Sequence, residues 1–347
     1  MRKLISILCF FTGVLLLIVK LTAILVDPST VSTGIFTQLI VVIVACALIC
    51  VGWRVRNVSR KGSELRWYYL LLLLVGLTMT GFILMTVWVD NGLKQRTCVG
   101  VYNEPYKVWA TRGLVTDGSD GSPVRVRNSI ASISYAFEQG ARGTEVDVHY
   151  DSAMRRFVVS HGDNYKKQNS TLLTLEALLD AVGDDGYFWL DWKKLRHLNG
   201  PQLQAALARL NRLVEHGDLR SRFYVEGEAP LPLLAVKNAG FQTIYDCHPM
   251  FDGNIFGPPL VDIFKAVYYF GGFTVMGMNS GTWSQPIYGP NTRRLLRNIP
   301  VFLYHLPDDV KFPKELVSCR NVRVVIIRQD INRFNFMIDS SAASSGS

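Results

Sequence analysis

The residue types and spacing that point most directly to chemistry lie in Gly143-Thr144-Glu145-Val146-Asp147-Val148-His149-Tyr150-Asp151. Side chains alternate across a strand, so a strand through Thr144–Val148 turns Glu145 and Asp147 to one face and Thr144, Val146 and Val148 to the other. Two carboxylates then share one small volume and repel unless a proton or a cation neutralises them. Hard divalent ions such as Mg²⁺ or Ca²⁺ are held by oxygen ligands of this kind. Further on, Phe157-Val158-Val159-Ser160-His161-Gly162-Asp163 ends an apolar run on a histidine, an acid/base group suited to neutral pH. The bland alternative is a half-buried strand whose polar residues face solvent.

The elements that must position these groups form a repeating pattern between about Tyr106 and Asp330. Strands are expected at 108–111, 143–148, 157–160, 187–192, 223–226, 242–245, 273–278, 300–304 and 322–327. Helices are expected between them at 128–139, 174–182, 200–215, 231–238, 260–270, 292–297 and 314–318. Such alternation indicates a parallel sheet with right-handed crossovers. About eight βα units in roughly 240 residues favour a closed (β/α)8 TIM-type barrel over a doubly wound open sheet. A barrel gathers reactive residues at the C-terminal ends of its strands. The polar residues here follow that rule: Thr111-Arg112-Gly113, Glu145 and Asp147, Asp191 and Lys193, and Glu226 all end expected strands. Asp191 and Lys193 share strand parity, so they form either a buried ion pair or a site in which one holds a metal and the other a phosphate oxygen.

Of the 347 residues, 49% are apolar, and they crowd toward the N-terminus. Three stretches, about 4–26, 36–53 and 67–89, are long enough to cross a bilayer of ~30 Å as transmembrane helices. Lys20 interrupts the first, for which a cleaved signal peptide is the competing reading. The domains expected are therefore a membrane region over 1–96, a barrel over 97–339 and a flexible tail over 340–347. Arg2 and Lys3 precede the first span, and the link Arg54–Arg66 carries five basic residues against Glu64. By the positive-inside rule, both segments are cytoplasmic and the barrel extracytoplasmic. Ten Lys/Arg against three Asp/Glu in residues 1–96 make +7 of the formal +9. The excess charge is thus a topology signal, and nucleic acid is not expected as a partner. Cys98, Cys247 and Cys319 lie outside the spans and allow one disulfide without choosing its partners, and Asn169-Ser170-Thr171 is a glycosylation sequon only in a eukaryotic secretory protein.

In order along the chain, Thr111-Arg112-Gly113, Ala136-Phe137-Glu138-Gln139-Gly140-Ala141, Glu145-Val146-Asp147, Ser160-His161-Gly162 and Asp191-Trp192-Lys193 resemble the motifs of the phospholipase-C-like phosphodiesterases. The resemblance is to the glycerophosphodiester phosphodiesterases and the related sphingomyelinase D toxins. It is closest over 107–194 and collinear to about 332, where Val324-Val325-Ile326-Ile327-Arg328-Gln329-Asp330 is similar to the closing strand of the glycerophosphodiesterases. It implies a divalent cation, Mg²⁺ or Ca²⁺, held by Glu145, Asp147 and Asp191. It also implies Arg112 and Lys193 on the phosphate oxygens, with His161 as the catalytic acid/base. The implied substrate is a glycerophosphodiester, lysophospholipid or sphingomyelin, hydrolysed beside the membrane. Two positions depart from the pattern. Thr111 stands where the family carries a first-strand histidine, and Arg127 stands where the glycerophosphodiesterases carry a glutamate. His149, of the same strand parity as Asp147, is a candidate to replace the lost histidine. A pseudoenzyme that binds a phosphorylated ligand or a partner is the alternative function, and a glycoside hydrolase using Asp191 and Glu226 is the third. His197 and His216 are expected at the surface, while His248 and His305 follow later strands and are expected to play structural parts.

Overall fold

The computed structural model describes residues 65–97, 100–118, 123–162, 172–215, 218–306, 311–328 and 334. The chain divides into two units, Met1–Gln95 and Arg96–Ser347. In the first, α1 (Leu65–Gln95) is one continuous helix, and an 18-residue stretch within its segment Leu73–Gln95 has a mean hydropathy of 1.8. Among the described residues this is the one helix long and apolar enough to cross a membrane. It overlaps the expected span 67–89 and runs on past it to Gln95. The expected spans 4–26 and 36–53 lie outside the described residues, so the described part supports a single candidate span and not a multi-pass topology. Cys98, His216, Asn169 and the tail 340–347 also lie outside the described residues, and Cys247 and Cys319 are free thiols.

The second unit is a closed barrel. Its parallel strands are β1 (Val108–Thr111), β2 (Gly143–Asp151), β4 (Tyr187–Trp192), β5 (Phe223–Gly227), β6 (Gln242–Asp246), β7 (Val275–Asn279), β8 (Val301–Tyr304) and β9 (Val322–Ile327). They are ordered β1-β9-β8-β7-β6-β5-β4-β2, and the pairing of β1 with β2 closes the ring at eight parallel strands. Helices α2 (Ile130–Glu138), α3 (Leu175–Val182), α4 (Gly200–Leu213), α5 (Leu219–Arg222), α6 (Pro230–Asn238), α7 (Gly257–Gly271), α8 (Pro290–Leu295) and α9 (Lys311–Ser318) link them. Their starts are set by local chemistry. Ser129 and Ser132 form a reciprocal capping box on α2, Asn199 and Gln202 do the same on α4, and Thr174 caps α3.

The run expected as a strand at 157–160 is a departure from the simple repeat. It is β3 (Arg156–Val159), which turns back antiparallel onto β2 and takes no place in the ring. The cause is a tight turn. Asp151 Oδ1 accepts from the backbone N–H of Ala153 at 2.9 Å and of Met154 at 3.0 Å, and Arg155 adopts a left-handed φ of 53°. The hairpin returns the chain to the barrel rim, where Ser160 N–H donates to Asp147 O at 3.0 Å. His161 therefore reaches the open end of the barrel.

The interior below that open end is filled by rings. Trp109, Trp189, Tyr224 and Phe302 are each almost fully buried, and Trp109 meets Phe302 edge-on at 5.6 Å between ring centroids. Tyr102, from the segment before β1, closes the N-terminal end of the barrel. Its ring meets Trp109 at 5.0 Å and its N–H donates to Tyr224 Oη at 2.8 Å. At this closed end Arg96 donates to Phe273 O at 2.7 Å, just before β7. Gly143 is needed here because a Cβ would lie 2.4 Å from the Trp109 indole. Trp109→Ala is expected to cost ~3–5 kcal/mol, the usual range for removing a fully buried large aromatic side chain. Urea unfolding would measure it, and a loss below ~1 kcal/mol would mean that this layer is not the core.

Candidate active site

Asp147 is the centre of the open end. Its side chain is 0% exposed, yet four polar side chains converge on it. Lys193 Nζ lies 2.9 Å from Oδ1; Asn128 Nδ2 donates to Oδ2 at 2.8 Å; His161 Nδ1 lies 3.2 Å from Oδ2; and Arg112 Nη1 lies 3.5 Å from it. Asn128 Oδ1 also accepts from the Asp147 N–H at 3.2 Å, so side chain and backbone are clasped together. Since an ionised carboxylate only accepts, the His161 nitrogen facing it carries the proton.

The strands bring the other acids into line. Asp147 of β2 is in register with Asp191 of β4, and Asp191 with Glu226 of β5, giving a row of carboxylates on adjacent strands. Oxygens from Glu145, Asp147 and Asp191 all lie within 4.8 Å of one another. Lys193 bridges Asp147 and Asp191. The expected pairing of Asp191 with Lys193 is thus present, in the same place as the carboxylate cluster. The first strand delivers Arg112 through a strained turn. Arg112 and Gly113 have φ of 60° and 77°, and a Cβ on Gly113 would strike the Ser132 carbonyl carbon at 2.5 Å.

A cavity of about 720 Å³ opens above Asp147, lined by Thr111, Arg112, Glu145, His161, Asp191, Lys193, Glu226, Asp246, Tyr304, His305 and Arg328 among others. Thr111 is buried at its wall, in register with Glu145. His149 is buried, pairs with Val158 in the hairpin and is not among the residues lining the cavity, so it does not stand in for a histidine at Thr111. His197 is exposed on a single helical turn, Leu195–His197, which the sequence reading missed, and it also borders the cavity. A second group gathers one strand further round. His248 Nε2 lies 3.4 Å from Asp246 Oδ2 and 3.7 Å from Glu228 Oε1, while Tyr304 Oη donates to Asp246 Oδ1 at 3.0 Å.

Burial and charge set the protonation of the cluster. Burial, reinforced by Asp147 and Asp191, pushes Glu145 up to about 8. Burial would raise Asp147 too, but Lys193, Asn128 and Arg112 outweigh it and hold its carboxyl below the usual range. Asp191 is raised by burial despite Lys193. Glu226 is raised by burial and by the neighbouring Asp191 and Asp246. Burial would lower Lys193, yet Asp191 and Asp147 hold it above its ordinary value. A divalent cation fits these residues. Ca²⁺–O distances of ~2.3–2.6 Å allow one ion to touch three oxygens this close, and a carboxyl kept protonated by burial and by its acidic neighbours is one that a cation would ionise.

The sequence reading missed the parts played by Asn128 and Arg328, and it singled out Arg127 only as a departure from the family pattern. Asn128 sits at a φ of 56°, a conformation that asparagine tolerates better than most residues, and lies immediately before the α2 cap. An asparagine directly before a capping serine was the available signal. Arg127 and Arg328 add positive charge beside Arg112.

No family model and no curated protein matches the chain. Solved structures similar to it include a glycerophosphodiester phosphodiesterase from Parabacteroides distasonis, at 20% identity over 65% of this chain and 93% of that one, with a TM-score of 0.45. Another is a glycerophosphodiester phosphodiesterase from Agrobacterium tumefaciens, at 14% identity over 66% of this chain and 98% of that one, with a TM-score of 0.43.

The raised Glu145 carboxyl makes stability fall with pH. Between about 4.5 and 8 the folded chain keeps a proton that the unfolded chain has lost, so each rise in pH favours unfolding through this group. Glu145→Gln cannot ionise, and in chelator it should gain stability over the parent by a few kcal/mol on going from pH 5 to pH 8.5. Urea midpoints at the two pH values would test this; equal gains at both would show that Glu145 ionises normally.

Proposed function

We propose that this chain is a metal-dependent phosphodiesterase, anchored in a membrane by its N-terminal region and acting on a lipid-related phosphodiester such as a glycerophosphodiester, lysophospholipid or sphingomyelin. The observation that carries the reading is the meeting of two further carboxylates, two cations and a histidine around the buried carboxylate of Asp147. Glu145, Asp147 and Asp191 would hold Mg²⁺ or Ca²⁺. When bound, the ion supplies Lewis-acid neutralisation of charge developing on the phosphoryl oxygens. Arg112 and Lys193 orient the phosphate and share that neutralisation. His161, fixed by Asp147 through Nδ1, presents Nε2 to exchange a proton with the attacking or leaving oxygen.

A lipid-related substrate is supported by the rim of the open end. Met250, Phe251, Ile255 and Phe256 between β6 and α7, and Trp283 between β7 and α8, are exposed large apolar residues on neighbouring loops. The Asp252 N–H, donating to Pro286 O at 2.8 Å, ties the two loops together. Exposed apolar groups at a cavity mouth suit contact with acyl chains or a bilayer surface. The loop charges of the N-terminal region support an extracytoplasmic barrel.

Thr111 favours a second reading, a binding protein that holds a phosphorylated ligand without turnover, because threonine cannot titrate near neutrality at the wall of the site. The glycoside hydrolase reading would use Asp191 and Glu226, which do sit on adjacent strands, but it leaves Arg112, Lys193 and His161 without work.

Purified chain should release choline or glycerol from lysophospholipid, sphingomyelin or glycerophosphocholine slowly, and only with Mg²⁺ or Ca²⁺. His161→Ala is expected to reduce that rate by ~10²–10⁴-fold, while Thr111→His raises it. No turnover by parent or Thr111→His with metal bound would leave the binding role. Binding of the cation should also raise the melting temperature more at pH 8.5 than at pH 5.5, because the ion competes with the Glu145 proton; an equal shift at both would remove Glu145 from the ligand set. In sealed vesicles of known orientation, external protease should cut the barrel when its extracytoplasmic face is outward. Protection there would reverse the topology.

A further inference from the structure

Order around the ring places two histidines on either side of two arginines. Passing from β2 through β1 and β9 to β8, the residues at the strand ends are His161, held on Asp147, then Arg112, then Arg328, then His305. All four line the cavity. His305 follows β8 directly, and its φ is 52°, nearly that of Arg112 after β1. Left-handed backbone is unfavourable for a residue with a Cβ and gathers at sites where function over-determines it. Here the backbone is pinned by the buried Ser280, whose Oγ donates to His305 O at 3.1 Å.

The tautomer of His305 follows from its neighbours. The backbone N–H of Gly281 donates to Asn279 Oδ1 at 2.8 Å, which fixes the amide and leaves Asn279 Nδ2 facing His305 Nδ1 at 3.2 Å. An amide nitrogen only donates, so Nδ1 accepts and the ring proton sits on Nε2. Partial burial, with the positive charges of Arg328, Arg112 and Lys193, holds the ring pKa of this largely exposed histidine below its ordinary value, so the ring is uncharged at neutral pH.

We propose that His305 is a phosphate-contacting residue of this site, donating from Nε2–H to a phosphoryl oxygen seated over Arg112 and Arg328, on the side opposite His161. The inference rests on the phosphodiester reading of the cavity. With its one ring proton on Nε2 and Nδ1 tied to Asn279, His305 is a hydrogen-bond donor and not a second acid/base group. It gives the seat a directional contact without a further charge, which suits a diester monoanion among cations already present.

The test uses the full-length chain in detergent and two readouts. Binding of inorganic phosphate is followed by isothermal titration, and turnover is followed with bis(p-nitrophenyl) phosphate and Mg²⁺ or Ca²⁺. His305→Ala should weaken phosphate binding and raise KM by ~10–100-fold, the usual effect of losing a hydrogen bond to a charged group. His305→Gln, whose amide N–H can reach the Nε2 position, should restore binding to within a few-fold of the parent. If the Gln variant is as impaired as the Ala variant, the donor assignment is overturned in favour of ring proton transfer. If His305→Ala binds phosphate as the parent does while Arg112→Ala does not, His305 is outside the seat and the phosphodiesterase reading stands. Phosphate binding that depends on His305 in a chain that hydrolyses no diester would uphold the contact and remove the hydrolase reading instead.

Discussion

The open end of the barrel is organised by the burial of a single carboxylate. Asp147 is shut away from water and holds Arg112, Asn128, His161 and Lys193 through its two oxygens. An unpaired charge so placed would cost several kcal/mol, and these partners together offset that cost. The same arrangement creates a problem of excess acid nearby. Glu145 and Asp191 sit within reach of the same volume, and burial disfavours their ionisation. A cation and an anionic ligand together would resolve both imbalances. That is the physical basis on which the proposed chemistry rests.

The scaffold separates stability from this chemistry along the barrel axis. Toward the closed end the interior is aromatic, with Trp109, Trp189, Tyr224 and Phe302 packed on one another and Tyr102 as a plug. Toward the open end the same strands carry acids and bases on the same inward face. Trp189 and Asp191 belong to β4, and Tyr224 and Glu226 to β5, each two residues apart. Each strand thus passes from oil to charge within one side-chain repeat. Trp189 Nε1–H, donating to Glu226 Oε2 at 2.5 Å, joins the two layers.

Strained backbone at the rim completes the site. Arg112, Asn128, Lys194 and His305 all adopt left-handed φ just beyond or beside strand ends. Turning the chain sharply there lets a residue past the strand still point across the mouth. Gly113, hard against the Ser132 carbonyl, is the position where no side chain could be tolerated. Thr111 leaves one wall of this rim without a titratable group, and Arg127 adds a cation near Arg112.

Strand parity, the alternation of strand and helix, and the carboxylates at strand ends were legible in the sequence because they depend on local periodicity. That placed Glu145 with Asp147 and Asp191 with Lys193, and it made the closed barrel the favoured arrangement. Sequence could not tell that 157–160 would fold back antiparallel, since an apolar run reads the same in either direction. The Asp151 turn decides it. Nor could it show that Asn128 clasps Asp147, that His149 is buried in the hairpin or that His305 lines the same cavity as Arg328 and Arg112. Those facts depend on which strands become neighbours when the ring closes and on how single residues twist at its rim. Closure joins β1 to β2 and β9, residues far apart in the chain, and only that tertiary step brings their ends to one cavity.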